Sequence, residues 1–236
     1  MTKKPKSNLI NQSLTQVNRD ILSDIAEISL DTTMKKFAAD QELLRDLPVI
    51  KWLVAANSVL NSVHNAHFLK KYASFIGQVS SEHITKEDML LLNEDMLSAD
   101  VIEKITENTL VYIDRYHDEL KAKLLGQLFV ETFVNYKFSA DEYNSLMFSI
   151  DSIHPFDGIP RLKAFYQYKV QMDAALGEEN KRKIWGQMAL LGYQPLVMSG
   201  LLNLPMGGSY VGSLGGASIN ELGFKFYEQV IRKVIG

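Results

Sequence analysis

The chain of 236 residues contains no cysteine. Disulfide bonds, thiolate catalysis and metal sites with cysteine ligands are therefore excluded. The sequence also lacks an unbroken run of about eighteen apolar residues, and no apolar stretch follows the lysines of the first six residues. These absences predict that the chain has neither a membrane-spanning helix nor a secretory signal, and we expect a cytoplasmic protein.

Recognisable catalytic motifs are missing as well. The glycine-rich segment at residues 207–216 lacks the spacing of a nucleotide-binding loop, and no Gly-x-Ser-x-Gly pattern occurs. We expect a non-enzymatic protein with no cofactor and no small-molecule substrate. Acid–base catalysis by paired carboxylates leaves no local pattern, so that alternative stays open.

Formal charge is nearly balanced, at −3 for the whole chain, so no global attraction to nucleic acid is expected. The most unusual stretch of the first half runs from Trp52 to Leu69 and carries no Asp, Glu, Lys or Arg. At helical spacing it predicts a helix over about residues 49–79, with Val63 on an apolar face and Asn65 on a neutral polar face. The pattern favours a core helix, and the alternative is a membrane-acting effector that uses this helix. The same helical wheel places His67 toward the apolar face, which favours a core or interface histidine. A pH switch that uses His64 and His67 is the alternative.

Helical periodicity and capping patterns dominate the first two thirds of the chain. Ser13 and Gln16 form a capping box that predicts the start of the first long helix. Apolar residues cover much of the circumference of a helix predicted over about residues 119–136, which should be deeply buried. The predicted fold is mainly α, with an N-terminal helical bundle over residues 1–136, of which 1–8 are expected to be disordered.

The last hundred residues, 137–236, are predicted to form a winged-helix-like lobe. A helix over about 178–191 precedes a short helix over 195–202, and two β-prone pieces, 209–211 and 217–219, predict a small β hairpin. Asn220 is expected to cap the final helix.

The closing pattern, residues 196–202, the glycine-rich hairpin and residues 219–226, resembles the winged-helix region of bacterial abortive-infection alpha-type proteins. Residues 119–129 are similar to the helix before that region. The resemblance covers about residues 105–226 and implies a setting in phage defence or prophage-encoded immunity. It supplies no catalytic residue.

One local pattern is compatible with a metal. Asp114, His117 and Asp118 are spaced at i, i+3 and i+4, which would place imidazole and carboxylate ligands on one face of a continuous helix. Basic neighbours favour ordinary surface pairing instead, so no metal site is predicted.

The charge distribution of the lobe favours a protein partner over DNA. Between Lys183 and Lys225 there is no Lys or Arg, and Glu221 is the one charged residue. DNA binding depends on cations at phosphates, whereas the core of a protein interface is depleted in charge. The leading hypothesis is therefore an interaction or sensor protein that contacts a protein or its own copy. The candidate contacts are Tyr193, Leu201, Leu204, Met206, Tyr210 and Leu214. The alternative is a DNA-binding transcriptional regulator that uses Lys181, Arg182 and Lys183.

Overall fold

The computed structural model describes residues 9–39, 47–50, 62–82, 99–205 and 216–236. These residues are mainly helical, with one small antiparallel sheet near the C-terminus, which confirms the predicted fold class. The chain forms two compact units, Met1–Ser139 and Ala140–Gly236, named here the N-terminal unit and the C-terminal unit. The predicted disorder of residues 1–8 falls outside the described residues.

Helix α4 is the centre of the N-terminal unit. The helices of this unit are α1 (Leu9–Ser13), α2 (Gln16–Glu27), α3 (Leu30–Ala39), α4 (Ser62–Ser81), α5 (Ala99–Arg115) and α6 (Glu119–Phe133). Helix α4 packs against α2, α3 and α5, and most extensively against α6. Both α4 and α6 are buried on almost every side, which confirms the prediction for α6 and explains why its apolar residues cover its circumference.

Close packing of α4 and α6 depends on a glycine. A Cβ atom at Gly126 of α6 would lie 2.7 Å from the carbonyl oxygen of Phe75 and 2.9 Å from Cβ of Gln78, both in α4. The ring of Phe75 also meets that of Phe129 edge to face, with centroids 5.8 Å apart. Only glycine lets the two helices approach this closely.

The predicted capping role of Ser13 is wrong. Ser13 is the last residue of α1, and its hydroxyl donates to the carbonyl oxygen of Leu9 at 3.1 Å. The buried hydroxyl of Tyr72 in α4 donates to the same Ser13 oxygen at 2.8 Å. The side chain that the sequence pattern assigned to a helix N-cap is therefore bonded to a residue of another helix. Burial of the Tyr72 hydroxyl raises its pKa.

The predicted faces of the uncharged helix are wrong at Val63 and Asn65, whereas Ala66, which the same wheel places on the apolar face, is buried as expected. Residues 51–61 lie outside the described residues. Val63 is exposed, whereas Asn65 is buried. Asn65 lies on the helical stripe of Leu69 and Tyr72, which faces the other helices. Packing from residue 65 onward, and not side-chain polarity alone, thus determines which side of α4 is buried.

The C-terminal unit contains three longer helices followed by short elements. These are α7 (Ala140–Ser152), α8 (Gly158–Ala174), α9 (Glu178–Ala189), a 3₁₀ helix (Gln194–Ser199), β1 (Leu202–Asn203), β2 (Ser218–Ile219), α10 (Glu221–Phe226), a π-helical turn (Tyr227–Ile231) and α11 (Arg232–Ile235). Residues from α7, α8, the 3₁₀ helix and the final helical segments form the core of this unit.

The sheet is a two-stranded antiparallel pair in which Leu202 lies opposite Ile219. The second strand falls within the predicted piece 217–219. The other predicted strand, 209–211, lies outside the described residues. The observed strand at Leu202 falls where the sequence predicts the end of a helix. That prediction is wrong because the 3₁₀ helix ends at Ser199, and the next residue, Gly200, has a φ of +70° in the left-handed region.

Asn220 caps α10, as predicted. Its side-chain oxygen accepts from the backbone N–H of Gly223 at 2.7 Å, and its amide donates to the carbonyl of Gly200 at 2.8 Å. A Cβ atom at Gly223 would collide with the carbonyl oxygen of Leu201. The cap and the glycine together hold α10 against the chain entering β1.

Candidate interaction surface

The 3₁₀ helix presents two apolar side chains to solvent. A 3₁₀ helix has three residues per turn, so Leu196 and Ser199 share one face, and both are buried. Val197 and Met198 lie on the remaining faces and are 39% and 70% exposed. Pro195 near the start of the helix fits its first turn, where no N–H is needed.

Hydrogen bonds anchor this helix from beneath. The Ser149 hydroxyl of α7 donates to the carbonyl oxygen of Ser199 at 2.6 Å. The Ser199 hydroxyl donates to the carbonyl of Leu196 at 2.6 Å and accepts from the backbone N–H of Leu201 at 3.3 Å. Val197 and Met198 therefore project from a helix whose inner side is fixed by Leu196 and by two buried hydroxyls.

Two further exposed apolar residues, Leu190 and Leu204, flank the 3₁₀ helix in the sequence, at 72% and 40% exposure. We call Leu190, Val197, Met198 and Leu204 the neutral apolar set. All four lie in the interval without Lys or Arg. Exposed large apolar side chains in a segment free of charge are typical of protein contact sites.

The structure separates the predicted contact residues into three groups. Leu204 is exposed, and Tyr193 is half-buried. Leu201 is completely buried in the core of its own unit, so its assignment as a contact residue is wrong. Met206, Tyr210 and Leu214 lie outside the described residues. Sequence reasoning missed Val197 and Met198, although the three-residue spacing of Leu196 and Ser199 after Pro195 could have indicated them.

The predicted basic candidates lie together on the exposed helix α9. Lys181 pairs with Glu178 at 3.8 Å, and Lys183 pairs with Glu179 at 3.0 Å. Arg182 forms no ion pair with any residue that the structure describes. Intrahelical carboxylates thus accompany two of the three cations that were proposed to contact DNA phosphates.

The three metal candidates do not share a helix face. Helix α5 ends at Arg115, and Asp118 lies beyond the break as the N-cap of α6, where its Oδ1 accepts from the N–H of Leu120 at 2.6 Å. Among the described residues, no group of three His, Asp or Glu side chains is placed to hold a metal ion. The spacing argument fails because the chain turns between Asp114 and Asp118.

A lysine of helix α4 contacts that turn. The ammonium group of Lys71 donates to the carbonyl oxygens of Asp114 at 2.6 Å and of Tyr116 at 2.7 Å, where it caps the C-terminus of α5. Burial lowers the pKa of Lys71, and the nearby Asp114 carboxylate partly opposes this effect. Two of the three N–H donors of the ammonium group are accepted by backbone carbonyls at the end of α5, so the geometry is that of a helix cap.

Other polar side chains of α4 contact the same corner. Lys70 pairs with Glu119 at 2.8 Å, and Nε2 of His64 lies 3.1 Å from Oδ1 of Asp114. His67 is exposed, so the expected core position is wrong, and the alternative of an interface histidine stays a prediction. Its helical position lies outside the stripe that contains Asn65 and Leu69.

No protein-family model, curated protein or solved structure matches the chain. Within the described ranges, none of the helices combines the length and the apolar character that crossing a bilayer requires.

Proposed function

We propose that this protein is a non-enzymatic interaction protein whose C-terminal unit binds a partner protein through the neutral apolar set. The observation that carries the proposal is the exposure of Val197 and Met198 on an anchored helix within a segment that has no basic residue. Rigid presentation reduces the entropy lost on binding, and the absence of charge reduces the desolvation cost.

The chemistry of the set favours an apolar protein surface as partner. Met198 is unbranched and polarisable, so it adapts to the shape of a facing pocket. Val197 beside it adds a stiff branched side chain. Such residues contribute binding free energy when a partner removes them from water, at about 25 cal/mol for each Å² buried.

A DNA-binding regulator is the second candidate. It is favoured by the order of helix, short helix, hairpin and helix, and by the exposed cations at Lys181, Arg182 and Lys183. The ion pairs of Lys181 and Lys183 with glutamates weaken this candidate, because carboxylates repel phosphates. The proposed setting in bacterial phage defence comes from the resemblance to abortive-infection proteins and from nothing else.

The test compares Met198→Glu with Val17→Glu. Val17 in α2 is also a highly exposed apolar residue, so the two substitutions place the same charge on different units. Tagged full-length proteins are used to capture partners, which are quantified by mass spectrometry. We expect a partner whose recovery falls about tenfold or more with Met198→Glu, since a buried unpaired carboxylate is costly, and is unchanged with Val17→Glu.

Three results would contradict the proposal. One is that no partner is captured while light scattering shows a strict monomer, and another is that the partner is retained by Met198→Glu. The third is tight duplex-DNA binding that falls steeply with salt and is abolished by Lys181→Glu with Arg182→Glu, which would establish the second candidate instead.

A further inference from the structure

Helix α9 has very little support from its own unit. It spans Glu178–Ala189, and Met188 is its one buried residue. A helix of about twelve residues is only marginally stable alone in water, and most helical stability in proteins comes from packing. A helix with a single buried side chain therefore leaves most of its surface available to a partner.

The charges on α9 follow a self-complementary order. Two acidic residues, Glu178 and Glu179, are followed after Asn180 by the basic residues 181–183. When the segment is read in reverse, Glu178 falls opposite Lys183 and Glu179 falls opposite Arg182. An antiparallel pair of identical helices centred between residues 180 and 181 therefore places each acid at the same level along the helix axis as a base of the other copy.

The four complementary charges occupy one side of the helix. At about 100° per residue, Glu178, Glu179, Arg182 and Lys183 fall within an arc of about 140°. Met188, which marks the inward direction, lies on the opposite side of the same wheel. Lys181 falls on the Met188 side and takes no part in this arrangement.

Apolar residues flank the charged quartet at matching positions. Leu176 precedes the helix and is 86% exposed, and Trp185 follows the charges and is also exposed. In the antiparallel pair these residues lie at equal distances along the sequence from the centre, so the exposed apolar side chains of both copies flank the charged quartet. A Cβ atom at Gly186, on the quartet side, would meet no atom within 4 Å, so the space in front of it is open.

We propose that α9 is a homodimerisation element, in which two copies of this chain pair antiparallel through Glu178, Glu179, Arg182 and Lys183. The existing pair of Lys183 with Glu179 is compatible with this arrangement, because a carboxylate accepts hydrogen bonds at both oxygens. In an antiparallel pair, the positive N-terminal end of each helix dipole also lies near the negative C-terminal end of the other, which is favourable. This surface differs from the neutral apolar set, so the inference goes beyond the proposed function and does not depend on it.

The test uses two variants of opposite charge. One carries Glu178→Lys with Glu179→Lys, and the other carries Arg182→Glu with Lys183→Glu. Sedimentation equilibrium of the full chain, with circular dichroism to establish folding, should show dimers for the wild type. Each variant alone should dimerise about tenfold more weakly or worse, since every attraction becomes a repulsion. An equimolar mixture of the two variants should form heterodimers, because each acid again faces a base.

The matched control is Asp20→Lys with Asp24→Lys, which makes the same change in net charge on the exposed side of α2. It should dimerise as the wild type does. Raising the salt concentration to about 1 M should weaken the wild-type dimer, because it screens exposed pairs. A monomeric wild type at about 1 mM, variants that dimerise normally, or a mixture that forms no heterodimer would each overturn the proposal.

The outcomes also separate this inference from the proposed function. Met198→Glu should leave the dimer intact, and the α9 variants should still capture the partner protein. If no dimer forms but partner capture depends on Met198, the homodimerisation inference alone fails. If the dimer behaves as expected but no partner depends on Met198, the proposed function alone fails.

Discussion

Helices α4 and α9 use their surfaces in opposite ways. Helix α4 is buried on nearly every side, and even its charged residues Lys70 and Lys71 are engaged by groups of the same unit. Helix α9 buries only Met188 and holds its charges in exposed pairs. The difference teaches that charge content alone does not determine whether a helix is buried. What distinguishes the two helices is where the partners of their charges lie. Other helices of the unit supply them for Lys70 and Lys71, whereas Lys181 and Lys183 pair with glutamates of α9 itself.

The largest expected effect comes from deleting a ring in each helix. Phe75→Ala in α4 removes a buried ring that packs on Phe129, and we expect a loss of about 3–5 kcal/mol in the free energy of unfolding. Trp185→Ala in α9 should cost under about 1 kcal/mol, because the indole is exposed. Urea denaturation of both variants measures this contrast, and equal losses would contradict it.

Alanine substitutions at one glycine of α6 and one of α9 should change the stability of the protein in opposite directions. Gly126→Ala should destabilise the protein by about 2 kcal/mol, because the new methyl group meets the Phe75 carbonyl across the contact of α4 with α6. Gly186→Ala in α9 enters open space and should stabilise the helix by about 0.5–1 kcal/mol. The change in the urea midpoint reports each sign. A stabilising Gly126→Ala would show that the helices do not approach as described.

The cap provided by Lys71 can be tested by substitution and by pH. Lys71→Met keeps the apolar stem but removes the donor to two carbonyls, and we expect a loss of about 2 kcal/mol at pH 7. Lys70→Met should cost less, since it removes only the partly exposed pair with Glu119.

The pH dependence follows from the lowered pKa of Lys71. Between the folded and the unfolded pKa, the unfolded chain binds more protons, so this residue's contribution to stability increases as pH rises through that range. The difference between wild type and Lys71→Met, measured by urea unfolding from pH 7 to about 10.5, isolates the effect. A difference that shrinks with rising pH would contradict the lowered pKa.

The smallest effect concerns the cap of α10. Asn220→Ala removes the acceptor for the Gly223 N–H and the donor to the Gly200 carbonyl, and we expect a loss of about 1 kcal/mol. Asn180→Ala in α9 is the matched change, and it removes one exposed bond to the carbonyl of Leu176. Thermal unfolding should show a clear decrease for the first variant and almost none for the second.

Local chemistry was sufficient to predict part of the fold. The burial of α6 followed from apolar residues around its whole circumference, and the Asn220 cap followed from a polar residue directly before an apolar helix. Both features depend on neighbours within a few turns, which a sequence displays directly.

Errors arose where distant residues control a position. Lys71 lies 43 residues before Asp114, and its contacts with the α5 terminus accompany the turn that separates Asp114 from Asp118. Tyr72 similarly engages Ser13 from 59 positions away. Periodicity carries no information about such contacts. At the candidate surface, charge patterning identified the neutral segment, but only the 3₁₀ geometry distinguishes buried Leu196 from exposed Met198. Leu201, beyond that helix, is buried in the core of the unit.

The support of the 3₁₀ helix by Ser149 and Ser199 has an evolutionary consequence. The bonds that hold this helix involve no side chain of Val197 or Met198, so those two positions can change identity without loosening the core. Conversely, Ser149 is buried beneath the 3₁₀ helix, so a substitution there would change the position of Val197 and Met198 together. Under the proposed function, substitutions at Val197 and Met198 therefore change the binding surface directly, whereas a substitution at Ser149 changes it from the buried side.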